Sequence, residues 1–120
     1  MLKPILSIFA ISIATSFQAT ASTQIDSKDA PFHEGEDVIA CGLIKQVSRF
    51  KRGFYLNMDE RYPRQSLTLV VWEDDVAEIK ERHGSLERLE AKRVCAEGRV
   101  TKYKGRSQIS LYNSYSLKLQ

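Results

Sequence analysis

Two short stretches of the chain gather cations around an aromatic ring. One is "SRFKRG", with Arg49, Phe50, Lys51 and Arg52; the other is "KYKGR", with Lys102, Tyr103, Lys104 and Arg106 around Gly105. Ammonium and guanidinium groups neutralise phosphates and release their counterions. Rings beside them can stack on unpaired bases. The combination is suited to holding a single-stranded polyanion. The plainer reading is that Lys and Arg at strand edges guard a β protein against edge-to-edge pairing.

The charge is segregated along the sequence, although the full chain is only +3. Residues 41–64 hold six cations and two anions, and residues 91–120 hold seven cations and one anion. Residues 22–40 and 73–90 are acidic: five anions against one cation, and seven against three. Whether the basic segments meet in space depends on the fold.

Catalytic chemistry is not written in the sequence. His33 lies among Glu34, Glu36 and Asp37 without a metal-ligand spacing, and His83 precedes Gly84 at a helix end. No Ser-His-Asp order, paired-cysteine metal motif or phosphate loop is present, and Asp74–Asp75 reads as a helix start. The expectation is a protein that is not an enzyme, with no metal and no cofactor.

Residues 1–21 have the pattern of a secretory signal peptide: Lys3, an apolar run from Ile5 to Phe17, then Ala19-Thr20-Ala21 as the cleavage site. The apolar run falls short of the ~20 residues that cross a bilayer. An exported product, periplasmic or secreted, with no membrane anchor after cleavage, is therefore expected. Cys41 and Cys95 remain, an even number in an oxidising compartment, and are expected to form a disulfide.

The elements that must position the two basic turns follow from hydrophobic periodicity. Residues 22–36 are polar, with Pro31 and Gly35, and read as a leader before the domain, which spans 37–120. "DVIACGLIKQV" alternates, with Val38, Ala40 and Ile44 on one face, and Gly42 marks a bulge or bend. "FYLNMD" and "SLTLVVW" are two further strands. Phe54, Leu56, Met58, Leu67, Leu69 and Val71 point inward, and Tyr55, Asn57, Thr68 and Val70 point outward. "EDDVAEIKERHG" is a short helix, acidic at its start and basic at its end. "VCAEGRV" and "SQISLYNSYSLKL" complete an all-β order of β-β-β-α-β-β, for which a five-stranded Greek-key barrel is the compact solution. Cys41 and Cys95 share the outward parity of the first and fourth strands.

"HEGEDVIACGLI", "FYLNMDERYPRQSLTLVVW" and "RVCAEGRVTKYKGRSQISL" together resemble the OB-fold, in its small nucleic-acid-binding, tRNA-anticodon/helicase-like type. The resemblance covers about residues 33–112. It implies a ligand lying across the second and third strands, between the first-to-second and fourth-to-fifth strand loops. Tyr55, Asn57, Thr68 and Lys45 would then lie between walls formed by Arg49, Phe50, Lys51 and Arg52 and by Lys102, Tyr103, Lys104 and Arg106. The acidic helix would lie away from the groove mouth. The function expected is an exported, non-catalytic module binding single-stranded nucleic acid or another polyanion. The alternative is a periplasmic protein- or peptide-interaction or envelope-stress module. It would use an exposed apolar patch of Ile39, Leu43 and Val70.

Overall fold

The computed structural model describes Pro4, residues 10–13 and residues 22–120. The signal-peptide reading of residues 1–21 lies, apart from those few positions, outside the described residues. From residue 22 onward the chain is mostly strand, with one α-helix and three short 3-10 turns. The strands are β1 Thr23–Asp26, β2 Asp37–Phe50, β3 Gly53–Met58, β4 Leu67–Trp72, β5 Arg93–Arg99, β6 Thr101–Tyr103, β7 Arg106–Ser110 and β8 Leu117–Leu119. The helix α1 spans Glu73–His83.

An all-β architecture with one short helix is what periodicity predicts, but eight strands in an open sheet stand where a five-stranded Greek-key barrel was expected. The hydrogen-bonded path runs β6-β7-β4-β3-β2-β5-β8, with β1 beside β2. β4 and β7 pair in parallel, as do β1 and β2, and the other pairs are antiparallel. Only Val100 separates β5 from β6, so one stretch of chain pairs with β2 through its first half and with β7 through its second. β1 and β8 are additions flanking β2 and β5.

The interior is built from the inward parity. Val38, Ala40, Ile44, Leu56, Met58, Leu67, Leu69, Val71, Val94, Ala96, Val100, Ile109 and Leu111 form one buried cluster, with Ile79 of α1 and Leu86 and Leu89 of the following 3-10 turn. Helix α1 carries Glu73, Asp74 and Asp75 in its first turn and Lys80, Arg82 and His83 in its last, an order that suits its dipole.

Three departures have local causes. The polar segment 22–36 is not a bare leader: it supplies β1 and a 3-10 turn over Ser27–Phe32, where Ser27 and Ala30 are fully buried. Gly42 is not a bulge. A Cβ there would sit 1.9 Å from Ser27 Oγ, so the glycine admits that buried turn against β2. The strand expected to run through "SQISLYNSYSLKL" ends at Ser110, as β7. Asn113 caps a 3-10 turn by accepting the Tyr115 and Ser116 N–H groups, and the chain then crosses to pair with β5 as β8. Tyr115 and Leu119 are consequently exposed, whereas Leu117 is buried.

Cys41 and Cys95 stand directly opposite each other on β2 and β5 and form the expected disulfide, with Cα atoms 4.0 Å apart. That spacing is close to the narrow, non-hydrogen-bonded pairing of antiparallel strands.

Candidate ligand-binding groove

A one-residue irregularity in β2 decides which side chains reach the ligand face. Ile44 pairs with Met58, but Gln46 pairs with Asn57, so Lys45 is an extra residue in the ladder. Side chains alternate strictly, and one extra residue reverses every face beyond it. Ile44 is therefore buried in the core while Gln46, two residues on, faces the groove, and Val47 packs against the core instead. Unbroken alternation would have set Lys45 and Arg49 outward over the groove. The bulge places Gln46, Ser48 and Phe50 on that face.

Both basic turns are tight two-residue connections. Phe50 pairs with Gly53, leaving Lys51 and Arg52 at the tip. Tyr103 pairs with Arg106, with Lys104 and Gly105 at φ 50° and 78°. Two successive positive φ values match the twist of the flanking strands, and Gly105 supplies the second without strain.

A groove of about 490 Å³ lies across β3, β4 and β7. Of the residues expected to bind, Tyr55, Asn57, Thr68, Tyr103, Lys104 and Arg106 line it. Gln46, Ser48, Tyr62, Gln65 and Gln108 complete the lining. A second hollow of about 310 Å³ shares Tyr55, Tyr103 and Gln108 and adds Phe50, Arg52, Val70 and Trp72. The two form one continuous trough, with an amide-rich end and an aromatic end. Among the described residues its lining includes three cations, Arg52, Lys104 and Arg106, and no carboxylate.

At the aromatic end the rings of Phe50 and Tyr55 stack 4.1 Å apart and 7° from parallel. Trp72 meets Phe50 edge-on at 5.9 Å, and its indole N–H donates to Ser110 Oγ. At the amide end the Arg106 guanidinium lies 4.4 Å from the centre of the Tyr62 ring. Lys104 Nζ stands 5.4 Å from the centre of the Tyr103 ring. Asn57 and Thr68 are only 3% exposed and hydrogen-bond to each other, so they shape the floor rather than project from it.

Four expected residues sit elsewhere. Lys45, at the bulge, is exposed away from the groove lining. Arg49 and Lys51 line a separate hollow against Glu73, Val76, Ala77 and Lys80, so they belong to the α1 side of the hairpin. Lys102 reaches Glu34, Nζ to Oε2 3.5 Å. Nor is the acidic helix remote from the basic turn: the Glu73 N–H donates to the Arg52 carbonyl. Glu73 does, however, line the α1-side hollow and not the groove.

The residues missed by sequence reasoning have two sources. Gln46, Ser48 and Trp72 needed the bulge and the strand ends to be known. Tyr62 and Gln65 come from the β3–β4 connection, which reads as a plain loop but folds over the groove. The apolar patch of Ile39, Leu43 and Val70 does not form. Val70 is buried beneath the trough, and Ile39 and Leu43 are half-buried on β2, where Ile39 pairs with Gln24 of β1.

No family model matches this chain, and no curated protein is significantly similar to it in sequence. Solved structures do resemble it. OBody AM1L10, solved bound to hen egg-white lysozyme, matches with a TM-score of 0.59 at 14% identity, covering 83% of this chain and 95% of that one. A putative aspartyl-tRNA synthetase from Leishmania major Friedlin matches with a TM-score of 0.57 at 11% identity, covering 88% of this chain and 22% of that one. At such identities the likeness concerns the fold alone, and it is consistent with an OB-like fold.

Proposed function

We propose that the protein is an exported, non-catalytic module of the nucleic-acid-binding OB type, which holds single-stranded nucleic acid in the trough across β3, β4 and β7. Its core path corresponds on this reading to a five-stranded OB unit, with β5 and β6 as one strand and β1 and β8 as accessories. The observation that carries the reading is the trough's composition. A stacked ring pair at one end, cations over rings at the other and no carboxylate in the lining offer both stacking and charge to a flexible polyanion. Export is supported by the order of Lys3, the apolar run and Ala19-Thr20-Ala21, and by the disulfide, which is compatible with an oxidising compartment.

The test is a fluorescence-anisotropy titration of the oxidised protein, residues 22–120, against labelled single-stranded oligonucleotides at two salt concentrations. With roughly three phosphates neutralised by Arg52, Lys104 and Arg106, log affinity should fall against log salt with a slope of about −2. Absence of binding at low salt overturns the reading.

A further inference from the structure

Two bulges face each other across Ile44. On the β3 side, Lys45 is the extra residue of β2. Ile44 is buried and Val47 packs on the core, so Lys45 and Gln46, the two residues between them, both face outward. On the β5 side, the Ile44 N–H donates to the Lys92 carbonyl at 2.9 Å, and the Ile44 carbonyl accepts from the Ala91 N–H at 2.7 Å. Ala91 has φ 67°. Two residues opposite one, the first of them left-handed, is the pattern of a G1 bulge, here with alanine at the position that usually falls to glycine. A Cβ is disfavoured at that φ, so the hydrogen bonds to Ile44 hold the turn and with it the position of Lys92.

Bulges re-aim side chains at sheet edges and barrel rims. These two gather cations. Lys45, Lys92 and Arg93 are exposed, and none of the three forms an ion pair among the described residues. Arg93 stands opposite Leu43, one residue along β2 from Ile44. The β3–β4 connection closes the group: the Asp59 N–H donates to the Leu43 carbonyl at 2.8 Å, and Arg61 Nη1 lies 3.6 Å from Glu90 Oε1. The Asp59 carboxylate is taken up by the Ser27 and Ser66 hydroxyls. That leaves Lys45, Arg61, Lys92 and Arg93 against Glu60 and Glu90 on these segments. The patch is continuous with the amide end of the trough. Lys45 adjoins Gln46, and Arg61 adjoins Tyr62, whose backbone N–H donates to Gln46 Oε1 at 2.9 Å. Gln46 and Tyr62 both line the trough.

We propose that this double-bulge surface is a second phosphate-binding segment, which takes up a single strand where it leaves the amide end of the trough, with Lys45 and Lys92 as its phosphate contacts. The proposal rests on the nucleic-acid reading above. Exposed ammonium groups neutralise phosphates and release counterions without reading bases, so the surface adds dependence on strand length and not on sequence. Glu90 competes with the phosphates for Arg61.

The experiment compares salt series for two oligo-dT strands, about four and about twelve nucleotides long. The short strand fills the trough and should keep the slope of about −2 set by Arg52, Lys104 and Arg106. The long strand should be steeper by about 1.4, because two more phosphates are neutralised. A longer strand also binds tighter by offering more registers, so the slope is the quantity read. In Lys45→Gln/Lys92→Gln the two slopes should become equal, with short-strand affinity within about twofold of wild type. Glu90→Gln, which frees Arg61, should raise long-strand affinity about threefold more than short-strand affinity. Equal slopes for the two strands in the wild type overturn the proposal and leave the nucleic-acid reading standing, as does a slope difference that survives in the double variant. Failure of both strands to bind overturns the nucleic-acid reading itself, and the second segment with it.

Discussion

The guanidinium of Arg106 covers the ring of Tyr62, 4.4 Å from its centre, and so ties the start of β7 to the β3–β4 connection across one wall of the groove. Arg106→Ala is expected to weaken oligonucleotide binding about tenfold at low salt and to flatten the salt slope by about 0.7, because one phosphate contact is lost. Tyr62→Ala removes a ring and no charge, so it should weaken binding with the slope unchanged. Anisotropy titrations across a salt series measure both; an unaltered slope in Arg106→Ala would take that residue out of the ligand's path.

The hairpin cations separate into two faces, and identical charge reversals distinguish them. Lys104→Glu, in the groove, should abolish low-salt binding. Lys51→Glu, on the α1 side, should lower affinity only a fewfold through the long-range field. Equal losses would place the polyanion on the wrong face.

Gly42 is required by the approach of a buried serine. An alanine Cβ would stand 1.9 Å from Ser27 Oγ, and Ser27 is itself held by donating to Asp59 Oδ2 at 2.6 Å. Gly42→Ala should cost about 1–3 kcal/mol through displacement of the 27–32 turn. Adding Ser27→Gly should recover part of that loss, because the two sites are in contact. Urea denaturation of the three variants measures the coupling, and simple additivity would refute the contact's role.

The disulfide joins residues 54 apart in sequence, and a cross-link over a loop of that length contributes about 4 kcal/mol in the chain-entropy model. Replacing both cysteines by alanine should lower stability by about 2–4 kcal/mol. Reductant should shift the denaturation midpoint of the wild type and not that of the variant.

Asp37 and Arg99 face each other where β2 meets β5, with Arg99 Nη2 donating to Asp37 Oδ2 at 3.1 Å. The hydrogen bond and the nearby positive charge hold the Asp37 carboxyl below its usual value. A depressed carboxyl contributes stability above its unfolded pKa and loses it as pH falls through the folded one, so the effect belongs to the acid limb. It should be small for an exposed pair. Carboxyl-carbon NMR titration should show Asp37 rising toward the ordinary carboxylate value in Arg99→Gln.

The core was legible because alternation is a local property: each inward Leu, Ile or Val from β3, β4, β5 and β7 sits where a period of two places it. The first half of β2 follows the same rule. The second half does not, because one inserted residue at Lys45 leaves no compositional trace yet inverts everything after it. Lys45 and Arg49 were therefore placed on the wrong face, and Gln46 and Ser48 were not seen. β1 was missed and β8 was not separated from the strand before it, for a different reason. β1 is short and polar; β8 reads as the tail of one continuous last strand, and the long-range pairing with β5 that makes it a separate strand has no local signature. Tyr103, Lys104 and Arg106 could be read directly, since a two-residue turn with Gly105 fixes their geometry within the motif. Tyr62 and Gln65 depend on where a loop comes to rest.

Trp72 is the only tryptophan in the chain, and it stands at the aromatic end of the trough, 36% exposed and edge-on to Phe50. Its emission is thus an unlabelled optical probe built into the protein. A guest settling on the Phe50–Tyr55 platform should quench or shift that emission, whereas one confined to the α1 side should leave the spectrum as it was.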